Sequence, residues 1–243
     1  MRIYIASKNI SGEKIIINDK ELIHYLKDVL RLKISDSLTV FDEKGAEYKT
    51  RLEQVSSRDL SLQILNRLSK EQGLGTRLTI ACAIPKKSKF DDIVDRLTQL
   101  GVERIIPLIT ERVIVKIDKQ KAGSRRDRWE KIATAASQQS QRNALPVIDP
   151  IKDFKTAIIE AENHDLKLIP TLEGERQSLK EVLAKSNPKS IFVLIGPEGD
   201  FSPQEVSLAI KSGFIPITLG ELVLRVETAA VAVASFIRFL NPL

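Results

Sequence analysis

From Arg77 onward the chain alternates between short apolar runs and longer amphipathic ones. RLTIACAI (77–84), ERIIPLIT (103–110), DLKLIPTL (165–172), SIFVLIG (190–196) and FIPITLG (214–220) read as strands. Between and after them, KFDDIVDRLTQLG (89–101), RDRWEKIATAASQQSQRN (126–143), QSLKEVLAKS (177–186), SPQEVSLAIKSG (202–213) and ETAAVAVASFIRFL (227–240) read as helices. Gly101 closes the first of these as a natural C-terminal cap. Strands separated by helices return in the same direction, with the helices covering the sheet. About 165 residues of this alternation therefore predict an α/β domain built on a parallel sheet covered on both faces.

The N-terminal part has a different rhythm. RIYIA, EKIIIN and DLSLQILNRL are strand candidates, and DSLTVFDEKGAEYKTRLEQV reads as two strands around a hairpin at Glu43-Lys44-Gly45. DKELIHYLKDVLRL places apolar residues at 22, 23, 26, 29 and 30, which is helical spacing. Several short strands with one helix suggest a small β-barrel. The polar segment SKEQGLGTR carries two glycines and marks a boundary near residue 72, giving domains 1–72 and 73–243.

A single cysteine, Cys82, excludes an internal disulfide framework and a cysteine-based zinc cluster, and fits a reducing cytoplasm. MRIYIASKNI is too short and polar for a signal peptide, and no apolar run reaches the roughly 18 residues of a membrane span. His24 and His164 are the only histidines and cluster with no other ligand type, so no metal is expected. The net charge of +6 is localised: between Arg112 and Arg142 nine basic residues face three acidic ones, which accounts for the whole excess. This window reads either as a solvated helix face or as a patch that meets a nucleic-acid backbone.

LIGPEGDFSPQE, at the end of a strand, has a mechanical reading. Gly196 and Gly199 permit positive φ and close approach of a ligand to the backbone. Ser202, Pro203 and Glu205 form an N-cap, a first helical position and a capping-box partner. Ligands of open α/β sheets sit at the carboxyl ends of strands, where this loop lies. The next strand repeats the arrangement in ITLGELVLRVETAA, where Gly220 precedes the apolar Leu222, Val223 and Leu224. Two such turns can wall one pocket, and an apolar loop with exposed backbone groups suits an adenine ring. Neither a dinucleotide fingerprint nor a Walker A sequence is present.

LIGPEGDFS followed by LGELVLRVETA resembles the SPOUT-type RNA methyltransferases, and most closely the ribosomal RNA small subunit methyltransferase E family. HYLKDVLRLKISDSL, KFDDIVDRLTQLGVERIIPLITERVIVK and RWEKIATAASQQSQRNALPVI extend the resemblance over nearly the whole chain. The resemblance implies an N-terminal PUA-like barrel, a C-terminal α/β domain with a deep trefoil knot, and a homodimer. It implies S-adenosylmethionine as cofactor and 16S rRNA, or the small ribosomal subunit, as partner, with methylation of uridine N3 in the decoding region. It further implies a cofactor set of Thr171, Leu172, Ile195, Gly196, Pro197, Gly199, Leu219, Gly220, Leu224 and Thr228. The chain departs from the family at Asp200, where a third glycine is common, and at Val113, where serine is usual. ASQQSQR lacks a glutamate that often precedes the glutamine, and Ile23-His24 replaces a common His-His.

Transfer to uridine N3 requires loss of its proton. Glu198 is the acid in the cofactor loop, either as base or only as a tie within the loop. Arg225 is placed to stabilise a developing uridinate oxygen, or to pair with Glu227. Arg31, Arg112, Lys116, Arg126 and Arg142 are the candidate phosphate contacts, and Trp129 either stacks on a base or packs its helix. The competing readings are a non-catalytic RNA-binding or ribosome-assembly protein, which would not need paired glycine loops, and a methyltransferase of the same fold acting on tRNA.

Overall fold

A computed structural model describes residues 2–43, 45–56, 58–68, 75–86, 89–113, 119–142, 144–172 and 174–240, with backbone alone at 119–121. The chain divides into two compact units, Met1–Gly73 with Ser137–Leu145, and Leu74–Ala136 with Pro146–Leu243. The expected boundary near residue 72 and the hairpin tip Lys44 lie outside the described residues.

The first unit holds β1 (Arg2–Tyr4), β2 (Ile10–Ser11), β3 (Lys14–Ile17), α1 (Lys20–His24), β4 (Ser37–Phe41), β5 (Glu47–Val55) and β6 (Leu60–Leu68). The strands form one sheet in the order β1-β4-β5-β6-β3-β2, with β1 parallel to β4 and every other pairing antiparallel. Two register shifts between β5 and β6 bend the long hairpin. In β3, Ile15 and Ile17 point into the core while Ile16 is exposed, the period of two that a half-buried strand requires. Asp19 caps α1 by accepting from the Leu22 N–H, and the helix continues in π-type turns over Tyr25–Val29. Its apolar face, Ile23 and Leu26, joins the same core as Ile3, Val40, Leu60 and Leu62. Arg2 donates from Nη1 to the Gln141 carbonyl at 2.7 Å, which ties the segment after residue 137 to this unit.

The second unit contains β7 (Arg77–Ala83), α2 (Lys89–Gln99), β8 (Arg104–Ile109), α3 (Lys119–Gln139, of which 137–139 are counted with the first unit), β9 (Val147–Ile148), β10 (Lys152–Asp153), α4 (Phe154–Glu160), β11 (Leu166–Pro170), β12 (Gln177–Ser178), α5 (Leu179–Ala184), β13 (Ser190–Ile195), α6 (Pro203–Lys211), β14 (Ile215–Thr218) and α7 (Val226–Leu240). All its strand pairings are parallel, in the order β10-β8-β7-β13-β11-β14-β12, with β9 also on β8. β13 is buried along its whole length, yet its side chains still alternate. Ile191, Val193 and Ile195 join the core under α2, α3, α5 and α7; Phe192 and Leu194 join the core under α4 and α6. Helices thus cover both faces, as the alternation predicts.

Residues 144–164 carry no clear strand or helix period in the sequence. They form β9, β10 and the two-turn α4, too short for a period to register, with Asp153 accepting from the Thr156 N–H as the cap. α3 begins at Lys119, seven residues before the expected 126, and runs through Gly123. Trp129 is 3% exposed, stacks obliquely on Phe90 at 4.6 Å and donates to Asp91, so it packs its helix. In α7 the small residues Ala230 and Ala234 fill the unit's own core, while Phe239 is 85% exposed. Among the described residues no helix is long and apolar enough to cross a membrane.

Candidate functional site

β13 lies beside β11, and β14 lies on β11's other side, all three parallel. Their carboxyl ends therefore present the loops at 171–172, 196–201 and 219–225 on one edge of the sheet. These loops line a cavity open to solvent. Of the expected cofactor set, Thr171, Leu172, Ile195, Gly196, Pro197, Leu219, Gly220 and Leu224 line it. Gly199 and Thr228 do not: both are exposed, Gly199 lining a neighbouring cleft and Thr228 standing on the first turn of α7.

The glycines act differently from expectation. Gly196 and Gly199 permit positive φ, yet neither adopts it, and Asp200 does, at φ 59°. At Gly196 the constraint is space: a Cβ there would stand 3.1 Å from the Phe201 ring and press on it. Gly220 is required by conformation, with φ at 119° and open space where a side chain would project. The Thr218 hydroxyl holds this turn by accepting from the Gly220 N–H and donating to its carbonyl.

Beyond Gly220 the chain exposes Leu222 (80%) and Val223 (72%) beside the cavity mouth. Apolar side chains at the rim, glycine backbone and backbone polar groups fit an adenosyl ligand.

Hydrogen bonds stitch the loops together. Glu198 lines the cavity and accepts from the Lys86 N–H at 3.2 Å, joining its loop to the one after β7. Arg112 donates from Nη1 to the Gly199 carbonyl at 2.7 Å, and the capping box of Ser202 and Glu205 is present as expected. Arg176 donates to the Thr171 carbonyl at 3.1 Å and lines the cavity, a role no motif signalled. Arg225 is exposed and outside the cavity lining. Its expected alternative partner, Glu227, instead binds Lys89 at 2.7 Å; that hydrogen bond, opposed by desolvation and aided by Lys89 and Arg225, holds the Glu227 carboxyl below its ordinary value.

The basic window is only partly visible. Lys116 lies outside the described residues. Arg126 pairs with Glu130 at 2.9 Å on α3, Arg31 is exposed at φ 54°, and Arg142 is half-buried. Burial lowers the pKa of His164, whose Nε2 meets the Thr79 hydroxyl at 3.2 Å, and raises that of Cys82; neither side chain lines the cavity.

Residues 72–238 match the RNA methyltransferase domain family, and residues 12–65 match the RNA methyltransferase PUA domain. The chain is 33% identical over 230 residues to the ribosomal RNA small subunit methyltransferase E of Synechocystis sp., covering 94% of this chain and 74% of that one. The protein of the same name from Rickettsia conorii is 31% identical over 244 residues, 99% of this chain and 96% of its own. The chain belongs to the ribosomal RNA small subunit methyltransferase E family. The crystal structure of a ribosomal RNA small subunit methyltransferase E from Neisseria gonorrhoeae bound to S-adenosyl methionine matches with a TM-score of 0.85 at 30% identity, covering 98% of this chain and 97% of that one. As a methyltransferase E family member the chain is an enzyme with a PUA-like N-terminal domain, and its three strand-end loops lie in the methyltransferase domain.

Proposed function

We propose that this enzyme methylates N3 of a uridine in 16S rRNA, in the decoding region, with S-adenosylmethionine as donor. The observation that carries the reading is the cavity between the ends of β11, β13 and β14, with its exposed apolar rim at Leu222 and Val223. An RNA-binding module without catalysis has no use for such a cavity. The solved relative bound to S-adenosyl methionine supports the cofactor, and the relatives' names support rRNA over tRNA. On this reading the second domain is knotted, its working form is a cytoplasmic homodimer, and the domains divide near residue 72.

When bound, the cofactor supplies an electrophilic methyl group on a sulfonium. The chain's own residues do the rest. Ile195, Gly196, Pro197, Leu219, Gly220 and Leu224 bind the adenosyl portion, with Thr171 and Leu172 completing the lining. Glu198 takes the N3 proton, and Arg225 stabilises the charge that develops on O2 or O4. Arg31, Arg112, Lys116, Arg126 and Arg142 meet phosphates.

The test is methylation of 16S rRNA and of 30S subunits, with the modified base mapped by mass spectrometry, and tRNA as the competing substrate. Glu198→Gln keeps an acceptor for the Lys86 N–H but cannot take a proton. It is expected to lower kcat by about 10²-fold or more, with S-adenosylmethionine affinity retained. An unchanged kcat would leave Glu198 as a tie within the loop.

A further inference from the structure

Asp200 occupies the left-handed region, where side-chain-bearing residues are strained and Asn and Asp are the usual exceptions. Its carboxylate is fully engaged. Oδ1 accepts from the Phe201 N–H at 2.8 Å; Oδ2 accepts from the Leu172 N–H at 2.9 Å and from the Thr171 hydroxyl at 3.2 Å. The first bond closes its own turn. The other two cross to the loop after β11, 28 and 29 residues earlier in the chain. Asp200, Thr171 and Leu172 line both the cavity described above and the neighbouring cleft, so this junction is their common wall.

We infer that Asp200 is a positioning residue of the cofactor site, its carboxylate fastening the loop after β11 to the loop after β13. The inference rests on the proposed S-adenosylmethionine site. Three donors converging on an ionised carboxylate make charge-assisted bonds, stronger than those an uncharged acceptor makes. The two loops leave different strands and share no covalent turn. Without the strap, the Leu172 N–H would turn to water and the wall would widen.

Two substitutions separate the strap from the backbone. Asp200→Gly accepts the left-handed conformation but removes every side-chain bond. Asp200→Asn also tolerates that conformation, keeps one carbonyl oxygen and loses the charge. Titration calorimetry with S-adenosylmethionine is expected to show binding about tenfold weaker in Asp200→Gly, the loss of charge-assisted bonds, and an intermediate change in Asp200→Asn. Amide hydrogen exchange at Leu172 should accelerate in Asp200→Gly in the absence of cofactor, while exchange in β13 stays as in the parent. Equal affinity in the parent and Asp200→Gly, or unchanged exchange at Leu172, overturns the positioning role. A parent that binds no S-adenosylmethionine sinks the functional reading and this inference with it, a result distinct from equal binding.

Discussion

Glu205, in the first turn of α6, holds the backbone N–H of Glu111 at 2.9 Å through Oε1 while its Oε2 holds the N–H of Ser202. The capping box thus reaches beyond its own helix to the loop after β8. That loop carries Arg112, whose guanidinium holds the Gly199 carbonyl. Glu205→Ala strips a partner from both N–H groups and should destabilise the protein by about 2 kcal/mol. Glu205→Gln, which keeps one acceptor oxygen, should lose about half as much. Urea denaturation midpoints measure both, and equal midpoints for parent and Ala variant would show that the two bonds contribute nothing.

Gly220→Val puts a β-branched residue at a φ of 119° and sends its side chain into open space beside the proposed cofactor loops. The strain should cost about 1–3 kcal/mol of stability. S-adenosylmethionine affinity should fall at least tenfold, read by titration at a temperature where the variant remains folded. Binding as tight as the parent's would place the cofactor elsewhere.

Arg126→Glu should weaken RNA binding and reduce the slope of log affinity against log salt by about 1, with S-adenosylmethionine affinity unchanged. Arg112→Glu should affect both ligands, because Arg112 also holds the Gly199 carbonyl. An unaltered salt slope in both variants would make the basic window a solvated face.

Acid stability should depend on Asp149, which is buried among Arg104, Lys152 and Glu160. Burial raises its pKa, but the hydrogen bonds and charges of Arg104 and Lys152 outweigh burial and the net shift is downward. A carboxylate with a depressed folded-state pKa contributes its full stabilisation above the ordinary carboxylate value. The contribution is lost as pH falls through the folded-state pKa. Asp149→Asn should therefore lower stability by about 3 kcal/mol at neutral pH. It should also flatten the fall in unfolding free energy below about pH 4. Denaturant titrations across pH test this, and parallel pH curves for parent and variant would contradict it.

The proposed dimer has an accessible apolar candidate in Phe239, since the buried face of α7 is already occupied within its own unit. Sedimentation should find a mass near twice 27.2 kDa for the parent and a shift toward monomer for Phe239→Asp. A parent that sediments near 27.2 kDa with full activity on dilution would remove the dimer from the proposal.

The layered α/β unit follows from local order, because apolar runs of strand length separated by amphipathic helical ones leave a chain few ways to bury both. The cap Ser202-Pro203-Glu205 is equally local, since its partners lie within one turn. The glycine pair of loops could be read because strand ends, glycines and a following helix are contiguous in sequence. What the chain's order could not show is which loops meet. Strand order sets β11 between β13 and β14, and so brings Thr171 and Leu172 against Asp200. The same folding turns Glu205 toward Glu111 and Arg112 toward Gly199. None of these partners has a periodic or spacing signal. A hydrogen bond between loops needs only that a donor and an acceptor arrive about 3 Å apart, and that distance is decided when the sheet is assembled.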